Sequence, residues 1–176
     1  HGDENAVVDI IDSGSGLLYH RLTIELNIND SLRVPSDFLT IQEAVDATID
    51  GDTVLVASGT YTSDSGDGLR RDKNIDPRGK AITIRSESGP ETTIINNMGS
   101  GRGFYLQRGE DRNTIIEGFT IREGNNLGAI FAEVNVSASF INLRLLENVK
   151  VGIFAKGAIS VRNSVFKGNT GGLVLS

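Results

Sequence analysis

Apolar residues along the chain come in short bursts of Val, Ile, Leu and Thr, separated by turn clusters such as Asp12-Ser13-Gly14-Ser15-Gly16, Ser63-Asp64-Ser65-Gly66-Asp67-Gly68 and Gly99-Ser100-Gly101. Bursts of that length, bounded by turn residues, predict strands. Across Leu22 to Ile28 the pattern alternates, which places Leu22, Leu26 and Ile28 against apolar partners and leaves the other strand face wet. One segment has a helical rhythm instead. Thr40 and Glu43 form a capping box, with Leu39 placed to staple onto Ala44. Ile41, Ala44, Val45 and Ile49 recur at helical spacing, and Gly51 supplies a left-handed stop before a strand from Thr53 to Ala57. The spacing predicts a helix over about 40–49. A lone amphipathic helix in an otherwise all-β chain is read as a cap on an exposed sheet end.

From about residue 100 the chain repeats itself. Gly128-Ala129-Ile130, Gly152-Ile153-Phe154 and Gly172-Leu173-Val174 recur at spacings of 24 and 20 residues. Between them lie Glu117-Gly118-Phe119-Thr120-Ile121, Ile141-Asn142-Leu143-Arg144-Leu145 and Val161-Arg162-Asn163-Ser164-Val165, each followed by a polar turn. Those turns, Glu123-Gly124-Asn125, Glu147-Asn148 and Lys167-Gly168-Asn169, carry an Asn at nearly the same place. Repeats of this length built from very short strands predict a parallel β-solenoid of four or five coils, with Asn side chains bonded from coil to coil. In this alignment Glu117 falls where Ile141 and Val161 point inward, which calls for a register slip or a bulge.

The stretches Val34 to Ala47, Gly51 to Tyr61 and Gly79 to Ser86 resemble the N-terminal capping helix and first coils of right-handed parallel β-helices of the pectate-lyase-like superfamily. The likeness covers roughly residues 34–176. Phe166-Lys167-Gly168-Asn169 followed by Gly171-Gly172-Leu173-Val174 is similar to the paired motifs of bacterial surface β-helices such as the chlamydial polymorphic membrane proteins. Both resemblances imply an all-β parallel β-helix in an extracellular or cell-surface setting, bacterial or archaeal. The first also implies what activity there would be: polysaccharide lyase chemistry, with acidic residues holding calcium against a uronate and an Arg or Lys as base.

Composition narrows the chemistry. A net charge of −6 argues against nucleic acid as a partner, and no apolar run approaches the length of a membrane span. The absence of Cys removes disulfides, thiolate zinc and a cysteine nucleophile. Only His1 and His20 are histidines, and no metalloprotease, nucleophile-elbow, P-loop or dinucleotide motif is present. The three repeats stack Glu123 over Glu147 over Lys167, roughly 4.8 Å apart. Two carboxylates beside a lysine are the one catalytic candidate, against the plainer reading of a solvated charge ladder. Asp64, Asp67 and Asp72 are the weaker metal candidates, for calcium, but they lack the spacing of an EF-hand loop. No cofactor is required. Gly118, Asn142, Arg162 and Thr120, Arg144, Ser164 are read as outward polar positions, and the scarcity of aromatics, with no Trp, argues against a dedicated carbohydrate groove. Asn135-Val136-Ser137 fits a glycosylation sequon, a pattern that chance also supplies.

Two segments remain. Residues 1–33 read as an N-terminal β extension beside the solenoid of 34–176, and His1 in place of Met hints at export. The sequence ends at Leu173-Val174-Leu175-Ser176 in mid-strand, and an uncapped solenoid end is a sticky edge. The expected role is therefore a secreted or surface structural module that meets copies of itself head to tail, with residues 1–33 as a donor strand. The alternative is the N-terminal part of a polysaccharide lyase or glycosidase acting on an acidic polysaccharide.

Overall fold

The computed structural model describes residues 6–9, 21–24, 31–62, 72–125 and 128–176. The chain divides into two compact units, His1–Asp30 and Ser31–Ser176. In the first, β1 (Ala6–Asp9) pairs antiparallel with β2 (Arg21–Ile24), Ala6 opposite Ile24. Of the apolar positions Leu22, Leu26 and Ile28, Leu22 stands opposite Val8 in β1, and Leu26 and Ile28 lie outside the described residues.

The second unit runs β3 (Leu32–Val34), α1 (Ile41–Ala47), β4 (Thr53–Val56), β5 (Gly59–Thr62), β6 (Thr83–Ser86), β7 (Thr93–Asn96), β8 (Phe104–Leu106), β9 (Ile115–Glu117) and β10 (Thr120–Arg122). It continues with β11 (Ile130–Ala132), β12 (Ser139–Ile141), β13 (Arg144–Leu146), β14 (Val151–Ala155), β15 (Ser160–Arg162), β16 (Val165–Lys167) and β17 (Gly171–Leu175). These strands stack in parallel into three faces: β3-β4-β6-β9-β12-β15, then β5-β7-β10-β13-β16, then β8-β11-β14-β17. The result is a parallel β-helix with six rungs on its first face. The sixth rung, one more than expected, comes from Leu32–Val34, which the sequence reading placed largely in the N-terminal extension.

Each face sends a principal apolar column inward. On the first it is Leu32, Val54, Ile84, Ile116, Phe140 and Val161; on the second, Tyr61, Ile95, Ile121, Leu145 and Phe166. The third contributes Phe104, Ile130, Ile153 and Leu173. Phe119 and Leu143 fill the corner between the first two faces, and the Phe104 and Phe119 rings lie 6.0 Å apart inside. Each buried side chain of this kind contributes about 1.5–3 kcal/mol. The interior is narrow, so where three columns converge a fourth must be small. Gly103, Ala129, Gly152 and Gly172 form that column; a Cβ at Gly103 would lie 2.7 Å from Ile121 Cγ2, and one at Gly152 would overlap the Phe166 ring.

The corners repeat as well. Gly118, Asn142 and Asn163 take left-handed backbone where the first face turns into the second; Glu123, Glu147 and Gly168 do so where the second turns toward the third. One residue further the expected Asn ladder is present. Asn148 Oδ1 accepts from Gly124 N at 2.8 Å, and Asn169 Oδ1 accepts from Asn148 N and Nδ2 at 2.9 and 2.8 Å. Asn148 Nδ2 also donates to Ile121 O at 3.2 Å, and Asn169 Nδ2 to Leu145 O at 2.7 Å. In the rung above, the ladder position is Gly124 rather than Asn125, because a Cβ there would stand 2.9 Å from Asn148 Oδ1. Asn125 is exposed and donates to Gly99 O instead.

Helix α1 closes the N-terminal end of the stack, packing on β3 and β4 with Ile41, Ala44 and Val45 buried. The capping box is formed: Glu43 N donates to Thr40 Oγ1, and Thr40 N to Glu43 Oε2, both at 3.1 Å. Two expectations fail here. Leu39 and Ile49 are 57% and 70% exposed, so neither the staple nor the fourth apolar position contributes. The helix ends at Ala47 with Thr48 extended as its C-cap, and left-handed Gly51 serves the turn into β4. The orphan carbonyls of its last turn are met by Lys80, whose Nζ donates to Val45 O, Asp46 O and Thr48 O at 2.8, 3.1 and 2.7 Å.

Two substitutions test this packing by urea unfolding. Gly103→Val, which overfills the interior against Ile121, is expected to cost about 1–3 kcal/mol. Asn148→Ala leaves Gly124 N without its acceptor in a buried corner and is expected to cost about 1–3 kcal/mol; an unchanged midpoint in either case contradicts the assigned columns.

Candidate functional site

The proposed catalytic column does not form as aligned. The register pairs Arg122 with Leu146 and Leu146 with Lys167, so Lys167 stands one position before the glutamates, and Gly168 continues their column. Glu123 and Glu147 occupy successive left-handed corners, with φ of 54° and 55°. Side chains rarely hold that backbone. Here it recurs at the same corner in consecutive coils, which makes it a property of the coil and not a signature of chemistry. Glu123 Oε1 accepts from Asn96 Nδ2 at 3.5 Å and lies 3.7 Å from Arg122 Nε, while Glu147 is exposed. Leu146 separates the two cations Arg122 and Lys167 along their column.

The same one-residue correction resolves Glu117. It stands in register with Ile141 and Arg162 on the outside of the first face, while Ile116, Phe140 and Val161 point in, and the pairing is continuous without a slip or bulge. The outward stripe does not run as read: Thr120 is buried and donates to Pro90 O at 2.6 Å, and Arg144 is followed by Val165, not Ser164, with Val165 50% exposed. Gly118 and Asn142 belong to the corner, stacked with Asn163.

Of the calcium candidates, Asp64 and Asp67 lie outside the described residues. Asp72 is buried, and its Oδ1 accepts from Ile41 N at 2.8 Å, so it serves the first turn of α1. Among the described residues no three His, Asp or Glu side chains gather as a metal site. Asp72 and Tyr61 line a shallow cleft with Pro35, Leu39 and Thr60. Tyr61 donates to Ala57 O at 2.9 Å, and burial, helped by the carboxylates of Asp72 and Glu87, pushes its phenol up to about 12. It is a fixed neutral donor, not an acid or base for neutral pH.

The most organised outward feature is one that the sequence reading missed. Tyr105, Phe131 and Phe154 are in register on the outside of the third face. Phe131 and Phe154 stack at 5.5 Å with their planes 2° apart, and Tyr105 meets Phe131 edge-on at 5.5 Å. Arg102 lies over both Tyr105 and Phe131, at 4.8 and 5.1 Å, and Lys156 Nζ lies 5.3 Å from the Phe131 ring. Glu133 ties the column together, accepting from Lys156 Nζ at 3.0 Å and from the Tyr105 hydroxyl at 3.4 Å. The cations cover Phe131 to 2% exposure, so the rings form a braced seam. Pairing Ile130 with Ile153 reveals it; matching Gly128 with Gly152, as the triplets invite, sets Ile130 against Phe154 and hides it.

The chain matches no protein-family model, no curated protein and no solved structure to which it was compared. The fold defines its class, a parallel β-helix with a helical cap. No helix among the described residues is long and apolar enough to cross a membrane.

Tyr61 gives a pH prediction. Its pKa is raised on folding, so its contribution is complete below about pH 10 and is lost as pH climbs through about 12. Tyrosinate absorbance of the folded protein is expected to show a late-titrating phenol near pH 12 that disappears in Tyr61→Phe; a late component that survives Tyr61→Phe would contradict this environment.

Proposed function

We propose that the chain is a structural module that associates end to end with copies of itself through the last coil of its solenoid. The observation that carries this reading is the state of β15, β16 and β17. Among the described residues each pairs on one side only, with β12, β13 and β14 respectively. Side chains that continue the buried columns are uncovered there: Leu173 is 42% and Leu175 64% exposed, in register with buried Ile153 and Ala155. Unpaired backbone beside exposed apolar side chains is a template for adding a strand. At the opposite end α1 packs on β3 and β4. A secreted or cell-surface setting in a bacterium or archaeon fits this role and rests on the pectate-lyase-like resemblance of Val34 to Ser86.

A second reading, contact with an acidic polysaccharide, is favoured by the aromatic seam and its two cations. It is weaker because Arg102 and Lys156 already occupy the central ring and Glu133 neutralises Lys156.

Light scattering over a range of concentrations tests the first reading. Mass is expected to rise with concentration for the full chain and to stay that of a monomer for Leu173→Asp/Leu175→Asp, with circular dichroism confirming that the variant is folded. A wild-type chain that stays monomeric throughout overturns it.

A further inference from the structure

Asparagine is a structural residue in this solenoid, and nearly every described copy has a task. Asn142 and Asn163 hold left-handed corners, as does Asn74, whose Oδ1 also accepts from Arg102 N. Asn96, Asn97, Asn113, Asn125, Asn148 and Asn169 use their amides to bond neighbouring backbone or side chains. Among the described residues Asn135 is the exception: it is exposed, its backbone is not left-handed and its side-chain amide bonds nothing.

Asn135 lies in the turn that carries β11 into β12. Val136 N donates to Glu133 O at 3.1 Å, which closes the turn around Val134 and Asn135, and Val134 is 68% exposed. The base of the turn is fixed. Val136 is 1% exposed, and Gly157 of the next coil sits so close to its carbonyl that a Cβ there would overlap it. Ser137 N donates to Glu110 O at 2.8 Å, while nothing among the described residues bonds the Ser137 hydroxyl.

Asn135-Val136-Ser137 is thus a sequon whose acceptor amide and hydroxyl are both unengaged, on an exposed turn with an anchored base. That is the surface-loop context in which asparagine is glycosylated. We infer that Asn135 is an N-glycosylation site. In the reaction Asn135 Nδ2 bonds the anomeric carbon of an oligosaccharide carried on a lipid diphosphate. The carbon–oxygen bond to the diphosphate breaks, the lipid diphosphate leaves with that electron pair, and the amide gives up one proton. An oligosaccharyltransferase supplies the catalysis. The inference shares the secreted setting proposed above and is independent of end-to-end contact.

The folded full chain, incubated with a purified oligosaccharyltransferase and its lipid-linked oligosaccharide, is expected to gain a glycan that peptide mapping by mass spectrometry assigns to Asn135. The gain is expected to disappear in Asn135→Gln and Ser137→Ala and to persist in Ser137→Thr. The other sequon, Asn29-Asp30-Ser31, has its Asn outside the described residues, and Asn29→Gln is expected to leave the gain at Asn135 intact. Asn135→Gln is expected to keep the wild-type urea midpoint, because its amide holds nothing in the fold. A lowered midpoint would give Asn135 a structural task and overturn the reading of a free acceptor. No glycan on the folded chain, while a synthetic peptide of residues 131–139 is modified, overturns the inference, as does modification confined to Asn29. None of these outcomes touches the light-scattering test of end-to-end association.

Discussion

The structure depends on parallel register between coils. Because a parallel stack sets each residue on its counterpart one coil away, the interior is a set of columns, and each column must satisfy one steric rule along its length. Three columns are large and apolar. The fourth, Gly103-Ala129-Gly152-Gly172, is small because Ile121 and Phe166 already fill its space. The corners obey the same logic in polar terms: left-handed residues turn the chain, and Asn148 and Asn169 bond the carbonyls and amides those turns leave unpaired.

The first and last described coils of the stack differ. At the N-terminal end α1 lies on β3 and β4, held by Asp72 at its first turn and by Lys80 at its last. Asp46 on the same helix is bonded by Arg78; burial works against its charge, but the hydrogen bonds from Arg78 and Gln42 prevail and hold its carboxyl below the usual range. Three connections thus anchor the helix from outside its own sequence. The last coil has none of these, and the continuation of the inward columns is open to water. The functional reading comes from this asymmetry and not from a cluster of reactive groups.

Much of the architecture was legible in the sequence. The solenoid, the capping box at Thr40 and Glu43, and the Asn ladder were all signalled by local patterns whose physics acts over a few residues. The misplaced site residues share one source. Ile141 is a β-favouring apolar residue on the outside of the first face, so it passes for an inward residue and draws Val161 into its column. That single slip moved Lys167 under Glu147, made Glu117 look misplaced and put Ser164 in the outward stripe. A matching slip at Gly128 concealed the Tyr105-Phe131-Phe154 seam. Hydrophobicity does not separate an inward Val from an outward Ile; only the ladder of backbone hydrogen bonds does. Lys80 as a helix cap and Asp72 as its N-terminal acceptor were illegible for another reason, since each lies more than thirty residues from the α1 residues it serves.

The most direct measurement of the account is amide hydrogen exchange resolved to individual strands, on the full chain at low and high concentration. Inner strands such as β9, β12 and β13 are predicted to be protected equally at both, because their neighbours are within the chain. The amides of β15, β16 and β17 that face the open edge are predicted to exchange freely when dilute and to gain protection when concentrated. Protection of that edge independent of concentration, or free exchange at both, would contradict the claim that the last coil is where another chain adds.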